Sequence, residues 1–497
     1  MKLILDTDVN LNYIQALCMI FFPGAKFAKD EVVTEETPIV TVSSHYGEDG
    51  SITAVATITV GQQTASGSFT QPIKQGIDQK RAGKIAVGKA VFRAGETLFG
   101  HTPSWGIMTG IRPAKIAGEL YELYDGSEFH VRKALRHEYF LNPKKAALLT
   151  DIIVNEKKII STLKPNSCSV YISIPFCPTR CAYCSFVSYA TKRLQSLIPD
   201  YLARLLQDLD RTFAIIREKG LEVTTVYIGG GTPTTLDTVQ LGMIMDKIAE
   251  HIDVTGLEEF TCEAGRPDTI TKEKMDLLRD AGVTRVSINP QTLNDEVLSR
   301  IGRRHTSEEF FKAYDIAREC GIQYINTDLI AGLPGDTYRS FSKSVETILK
   351  MRPDNLTIHT FCIKKSADMA QDGGFDNYAI TSGEAQKSVD YSQIKAKLAG
   401  YVPYYIYRQK NTVGNLENVG FSLPGAEGLY NVLIMEELHH IFAVGAGSVT
   451  KLVSRENAKI ERTFMPKYPF EYLKMTDAEF EAQYTDKINR FFETYVK

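Results

Sequence analysis

The chain has 497 residues, 43% hydrophobic and 24% charged, with a formal net charge of −3. That length calls for two to four domains, the composition is that of a soluble globular protein, and the weak charge supplies no basic field for nucleic acid. The early apolar stretch Ile14 to Phe22 lacks the flanks of a signal peptide and is too short to span a bilayer, so a cytoplasmic protein with no membrane span is expected.

Residues 1–165 read as an N-terminal α+β accessory domain. A strand at Lys2–Leu5 precedes a helix near Leu11–Phe22. Alternating apolar stretches at Ile39–Ser43 and Ile52–Val60, bounded by Gly47, Gly50 and Gly61, form a hairpin. Helical segments follow around Val87, Ile116 and Leu148. The stretch Trp105–Pro113 reads as a packed turn between helices.

From 166 to 370 short β-rich runs alternate with helical stretches. Six strands are expected, at Val170–Ile174, Thr225–Gly229, Glu258–Cys262, Arg285–Asn289, Gln323–Ile330 and Asn355–Phe361. The first intervening helix is marked by Leu202, Leu205, Leu206, Leu209, Phe213 and Ile216 on one face, with Gly220 placed to end it. Repeated βα units build a parallel sheet, and six are too few for the usual closed eight-fold barrel. The fold class is therefore α/β, an open, partial six-unit βα barrel with its site at the carboxyl ends of the strands. The rhythm ends near Asp372–Gly373–Gly374. Residues 371–497, with a helix at Ser382–Leu398 and the aromatic run Tyr401–Tyr407, are expected to form a C-terminal substrate or cap domain.

Three of the eight cysteines cluster just past the first barrel strand, in Pro175–Phe176–Cys177–Pro178–Thr179–Arg180–Cys181–Ala182–Tyr183–Cys184. Thiolates suit iron–sulfur clusters and zinc alike. Structural zinc takes four ligands, and no fourth Cys or His follows within ten residues; a three-ligand zinc site stays as the alternative. Gly229–Gly230–Gly231–Thr232–Pro233 ends the second strand and lets backbone approach a ligand closely. Glu263, Gln291 and Asp328 add polar groups at further strand ends.

The Cys-x3-Cys-x2-Cys spacing with Tyr183 before the last cysteine resembles the radical S-adenosylmethionine superfamily. The resemblance implies a 4Fe-4S cluster on Cys177, Cys181 and Cys184, with S-adenosylmethionine chelating the free iron. An electron from a reduced donor such as flavodoxin or ferredoxin then yields a 5′-deoxyadenosyl radical. Within the superfamily the chain resembles the oxygen-independent coproporphyrinogen III oxidases (coproporphyrinogen dehydrogenases). That likeness rests on Tyr171–Cys177, Gly229–Pro233, Ile288–Thr292, Ile301–His305 and Asp328–Gly335. It implies cofactor contacts at Tyr171, Tyr183, Gly230, Gly231, Thr232, Glu263, Gln291, Arg303 and Asp328, and more loosely at Cys362 and Val449; Glu263 joins the cysteines as catalytic.

The implied reaction is oxidative decarboxylation of two propionates of the tetrapyrrole coproporphyrinogen III, giving protoporphyrinogen IX in haem biosynthesis. Four substrate carboxylates call for cations, and Arg304, Lys364, Lys365, Arg408 and Lys410 are candidates, with Tyr401, Tyr404, Tyr405 and Tyr407 as a platform for the ring or as core. Two positions depart from the best-known oxidases: Phe186 replaces a fourth cysteine and Ser173 replaces a histidine. They leave a haem-handling relative, a haem chaperone or an anaerobic haem-modifying methyltransferase, as the rival.

Overall fold

A computed structural model describes residues 1–27, 34, 36–73, 78–184, 190–362, 378–409 and 412–496. Phe186, Lys364, Lys365, Lys410 and the Asp372–Gly374 boundary lie outside these residues. Two compact units emerge: Met1–Val154 with Ile406–Asn411, and Asn155–Tyr405 with Thr412–Lys497.

The first unit holds a sheet of four strands, β1 (Lys2–Asp6), β2 (Ile39–Tyr46), β3 (Ser51–Val60) and β4 (Gln63–Pro72), paired in that order. The expected strand and hairpin are there, but β4 was not expected. Its sequence QTASGSFTQP carries no apolar alternation; small residues Ala65 and Gly67 face inward, and threonine and serine hydroxyls pair across the exposed face. Gly67 is required, because a Cβ there would fall 2.3 Å from the carbonyl oxygen of Ala90 on the helix Gln79–Phe99. The turn at Trp105 is packed: Trp105, Ile107 and Met108 are buried. Arg408, considered above for the barrel mouth, instead lies buried over the Trp105 ring and donates to the Met108 carbonyl.

The second unit is built on one long open sheet. Its strands are β5 (Ser167–Ile174), β6 (Glu222–Gly230), β7 (Glu259–Glu263), β8 (Arg285–Ser287), β9 (Tyr324–Ala331), β10 (Asn355–Thr360), β11 (Val402–Arg408), β12 (Glu417–Ser422), β13 (His440–Val444), β14 (Val449–Ser454) and β15 (Lys459–Phe464). The order is β11-β12-β10-β9-β8-β7-β6-β5-β13-β14-β15. All six expected strands are present and parallel, each followed by helix, and the barrel is open. β13 adds a seventh parallel strand beside β5, while β12 and β14–β15 are antiparallel. The helix Ile198–Glu218 buries the expected apolar face and ends at Gly220, φ +65°.

Tyr401, Tyr404 and Tyr405 are core, while Tyr407 is half-buried. Tyr401 donates to the Pro353 carbonyl at 2.5 Å, the Tyr404 hydroxyl meets Asn355 and Asn431 at 3.3 Å each, and the Tyr405 hydroxyl lies 3.2 Å from that of Thr357. All three rings are buried, so they offer no ring platform.

Candidate functional site

A partly exposed position of matching register recurs along the strands: Tyr171 in β5, Tyr227 in β6, Glu263 in β7, Asp328 in β9 and His359 in β10. Side chains alternate along a strand, so these residues share the inner face and line the lumen. Tyr171, Glu263 and Asp328 were expected from sequence; Tyr227 and His359 were not. Asp328 Oδ2 lies 3.5 Å from His359 Nε2. The Tyr227 hydroxyl donates to Glu263 at 2.5 Å, and its ring stacks on Tyr171 and on Tyr430, with centroids 5.9 and 4.4 Å apart. Burial pushes the Glu263 carboxyl up to about 7, opposed by the Tyr227 hydrogen bond and reinforced by Asp328.

The cysteine loop leaves β5 and is fixed at several points. Ala182 N donates to Ile301 O at 3.0 Å, Thr232 N to Phe176 O at 2.8 Å, and Gly231 N to Ile174 O at 2.8 Å. The glycine triplet is sterically required: a Cβ on Gly231 would meet Phe176 O at 2.6 Å and Cys177 Sγ at 3.0 Å, and Gly230 has φ +109°. Thr232 Oγ1 lies 3.3 Å from Cys177 Sγ, and the buried Arg266 reaches Cys181 Sγ at 3.7 Å. Burial raises the Cys177 thiol to about 11, with Cys184 and Cys181 adding to the rise and Thr232 opposing it.

Further residues converge at the same edge. Arg303, buried, donates to Asn289 O at 2.7 Å and Gly265 O at 3.2 Å; burial opposes its charge, but the neighbouring Tyr183 and Cys181 raise its pKa overall. Gln291 adopts φ +69°, held by Gln291 N to Asp328 O at 3.0 Å and Ile330 N to Gln291 O at 2.8 Å. A side chain at positive φ is costly, which marks an imposed conformation. Its buried Oε1 has no hydrogen-bond partner. Cys362 bridges to Thr412 just past β10, where Phe361 meets the Tyr183 ring edge-on at 6.4 Å. Val449 opens β14 after the turn that follows β13. Both therefore sit at the carboxyl edge. Ser173 is structural, donating to Ala446 O at 2.8 Å in that turn.

These residues fit a cluster and a cofactor. None of the three cysteines is in a disulfide, and Cys177 and Cys181 are buried. Thiolate donors suit an iron–sulfur cluster. Gln291 Oε1 and the cradle at Gly231 supply an acceptor in need of a donor and room for a ligand against backbone.

Among the described residues no helix is long and apolar enough to cross a membrane. Residues 171–348 match the radical SAM superfamily. An oxygen-independent coproporphyrinogen-III oxidase-like protein, HemZ of Bacillus subtilis, is 38% identical over 79% of this chain and 78% of its own. The haem chaperone HemW of Bacillus subtilis is 36% identical over 39% of this chain and 51% of its own; that of Escherichia coli is 27% identical over 65% and 81%. Among solved structures, the Escherichia coli coproporphyrinogen III oxidase HemN, a radical SAM enzyme, shares the fold at TM-score 0.50 and 21% identity, covering 66% of this chain and 72% of that one. A 4Fe-4S cluster and S-adenosylmethionine are the cofactors this domain carries, and the chain belongs to the oxygen-independent coproporphyrinogen III oxidase-like family of radical S-adenosylmethionine proteins.

Proposed function

We propose that the chain catalyses oxygen-independent oxidative decarboxylation of coproporphyrinogen III to protoporphyrinogen IX. The reading rests on the polar row that lines the lumen beside the cysteine loop. Cys177, Cys181 and Cys184 would hold the cluster as thiolates. Once bound, the cluster and S-adenosylmethionine supply a radical able to take hydrogen from an unactivated carbon.

The chain's own residues bind, orient and exclude water. Glu263 and Asp328 are acceptors when ionised and suit amino and hydroxyl donors, Gln291 Oε1 adds a third acceptor, and Arg303 donates. Tyr227 holds Glu263 in place. His359 is the imidazole of the lumen row and suits a propionate carboxylate. The Tyr171–Tyr227–Tyr430 stack fills the lumen from below, so substrate enters at the carboxyl edge. On this reading residues 166–370 bind the cofactors, 1–165 are accessory and 371–497 contribute to the substrate site.

The oxidase-like relative spans 79% of the chain, against 39% and 65% for the two haem chaperones, which supports the oxidase over haem handling. Anaerobic incubation with coproporphyrinogen III and a strong reductant, followed by separation of porphyrins by carboxylate number, tests it. Two-carboxylate product is expected. Only four-carboxylate material after many turnovers of cofactor cleavage sinks the proposal, and tight haem binding in that preparation would favour the haem-handling reading.

A further inference from the structure

The turn after β7 holds a buried cation that the lumen row does not include. Arg266, 3% exposed, sits between Glu263 at the end of β7 and the short helical turn Pro267–Thr269. Its guanidinium is engaged on two edges. Nε and Nη2 donate to the Asp268 carboxylate at 3.1 and 3.2 Å, a bidentate pair. Nη1 points the other way, donating to Thr179 O at 3.5 Å and to Cys181 Sγ at 3.7 Å. The turn itself is fixed from behind. Thr269 Oγ1 donates to Arg266 O at 2.7 Å and lies 2.6 Å from Thr234 Oγ1, while Lys274 Nζ donates to the carbonyls of Thr234 and Thr269 at 2.6 and 3.2 Å. Arg266 is therefore held against the cysteine loop.

The charge reaches beyond Cys181. Burial raises the Cys177 thiol, and Arg266 is among the groups that oppose the rise. Burial, with Arg303 and Arg266 nearby, pushes the His305 imidazole down to about 3, so that neighbour is neutral and adds no charge of its own. Three thiolates make the cluster they hold anionic, and one-electron reduction adds a further negative charge. A buried cation at a ligand sulfur favours the reduced state, because charges act strongly where water is excluded and because hydrogen bonds to sulfur help set an iron–sulfur potential. Asp268 acts in the opposite sense: its carboxylate, 22% exposed, offsets part of the Arg266 charge.

We propose that the Arg266–Asp268 pair sets the reduction potential of the cluster on Cys177, Cys181 and Cys184, with Arg266 raising it through the Cys181 sulfur and Asp268 limiting the rise. The inference rests on the radical S-adenosylmethionine reading of the cysteine loop. Arg266 is a positioning residue: it keeps its protons, and no bond between it and sulfur forms or breaks when one electron from an external reductant enters the cluster.

The test is a redox titration of the anaerobically reconstituted full-length protein with dithionite and low-potential mediators, read by electron paramagnetic resonance without S-adenosylmethionine. Arg266→Gln should lower the ratio of reduced to oxidised cluster at a fixed potential about tenfold, a downward shift of about 59 mV for a one-electron couple. Asp268→Asn should shift the midpoint upward, and Arg266→Lys should fall between wild type and Arg266→Gln. Both shifts should be the same at low and high salt, since the guanidinium is buried. A role confined to holding the loop would change iron content or the denaturation midpoint without moving the potential in opposite directions. Midpoints of Arg266→Gln and Asp268→Asn that equal wild type, or that move in the same direction, would overturn the proposal. If Arg266→Gln takes up no cluster, Asp268→Asn decides alone, and an unshifted or lowered midpoint overturns it. Wild-type protein that takes up no cluster would instead overturn the reading of the cysteine loop.

Discussion

The two ends of the barrel lumen treat buried polar groups in opposite ways. At the amino ends of the strands, Arg285 spends its donors on Glu259 at 3.2 Å, Asn326 at 2.9 Å, Asn355, and the carbonyls of Ala426 and Glu427 at 3.0 and 3.2 Å. Glu259 in turn accepts from Leu429 N at 2.8 Å, Tyr430 N at 3.3 Å and Thr261 at 3.2 Å. That network ties the segment before β13 into the base of the barrel and carries Tyr430 to the lumen stack. At the carboxyl ends, Gln291 Oε1, Asn289 Oδ1 and Arg303 Nε are buried without partners, and Gln291 holds a positive φ. A satisfied network makes a floor, whereas unsatisfied groups beside it mark where ligands belong.

The largest expected effect breaks the open end. Cys181→Ala should reduce iron in the anaerobically reconstituted protein from about four per chain to near zero, while Cys320→Ala, whose thiol reaches Lys272 O at 3.7 Å, should keep it. Iron and sulfide analysis decides; a full cluster in Cys181→Ala would falsify the assignment. Next comes the floor. Arg285→Ala leaves Glu259 buried without its cation and should cost about 3–5 kcal/mol, read as a lowered denaturation midpoint of the cluster-free protein. An unchanged midpoint would mean that the two ends do not differ as described.

Much of this contrast was legible in sequence, and the remainder failed for identifiable reasons. The barrel strands and their helices follow from apolar runs at regular spacing, and the cysteine loop and glycine triplet carry their chemistry in residue type. β12–β15 were not read because their place depends on pairing with β10 and β5, far away in sequence. Tyr227 reads as one apolar residue among several in VTTVYIGG, and its partner Tyr430 comes from a helix two hundred residues later. His359 had a signal: a lone imidazole in NLTIHT, at the inward register shared with Asp328. Arg266 and His305 had none, since their role depends on what folds around them. Arg408, Tyr401, Tyr404 and Tyr405 show the converse, residues of the right chemistry that the fold spends on its core.

A third effect sharpens the contrast through pH. Glu263 has a folded pKa of about 7 against an ordinary value of 4.5, raised first by burial. Between those values the native state keeps a proton that the unfolded chain has lost, so cofactor-free protein should lose stability as pH rises from about 4.5 to about 7, then stay level. Glu263→Gln should remove about 1–3 kcal/mol of that slope. Parallel stability–pH curves for the two proteins would show that Glu263 is not held as described.

The smallest expected effect concerns a single oxygen. Tyr227→Phe keeps the ring between Tyr171 and Tyr430, at centroid distances of 5.9 and 4.4 Å, and deletes only the hydroxyl that donates to Glu263 at 2.5 Å. If that hydroxyl serves the fold, the variant should lose stability and bind S-adenosylmethionine as wild type does. If it orients Glu263 for a ligand, the loss should fall on binding. A hydrogen bond to a charged group contributes about 1.5–3 kcal/mol, so the dissociation constant should rise by roughly ten- to a hundredfold while the denaturation midpoint moves little. The pH dependence separates the two cases further. Without the hydroxyl, which lowers the Glu263 pKa, the carboxyl should ionise at higher pH, and the pH midpoint for cofactor binding should move upward with it. Equilibrium binding on the reconstituted protein reads both quantities without turnover, and an unshifted midpoint with unchanged affinity would assign Tyr227 to the floor alone.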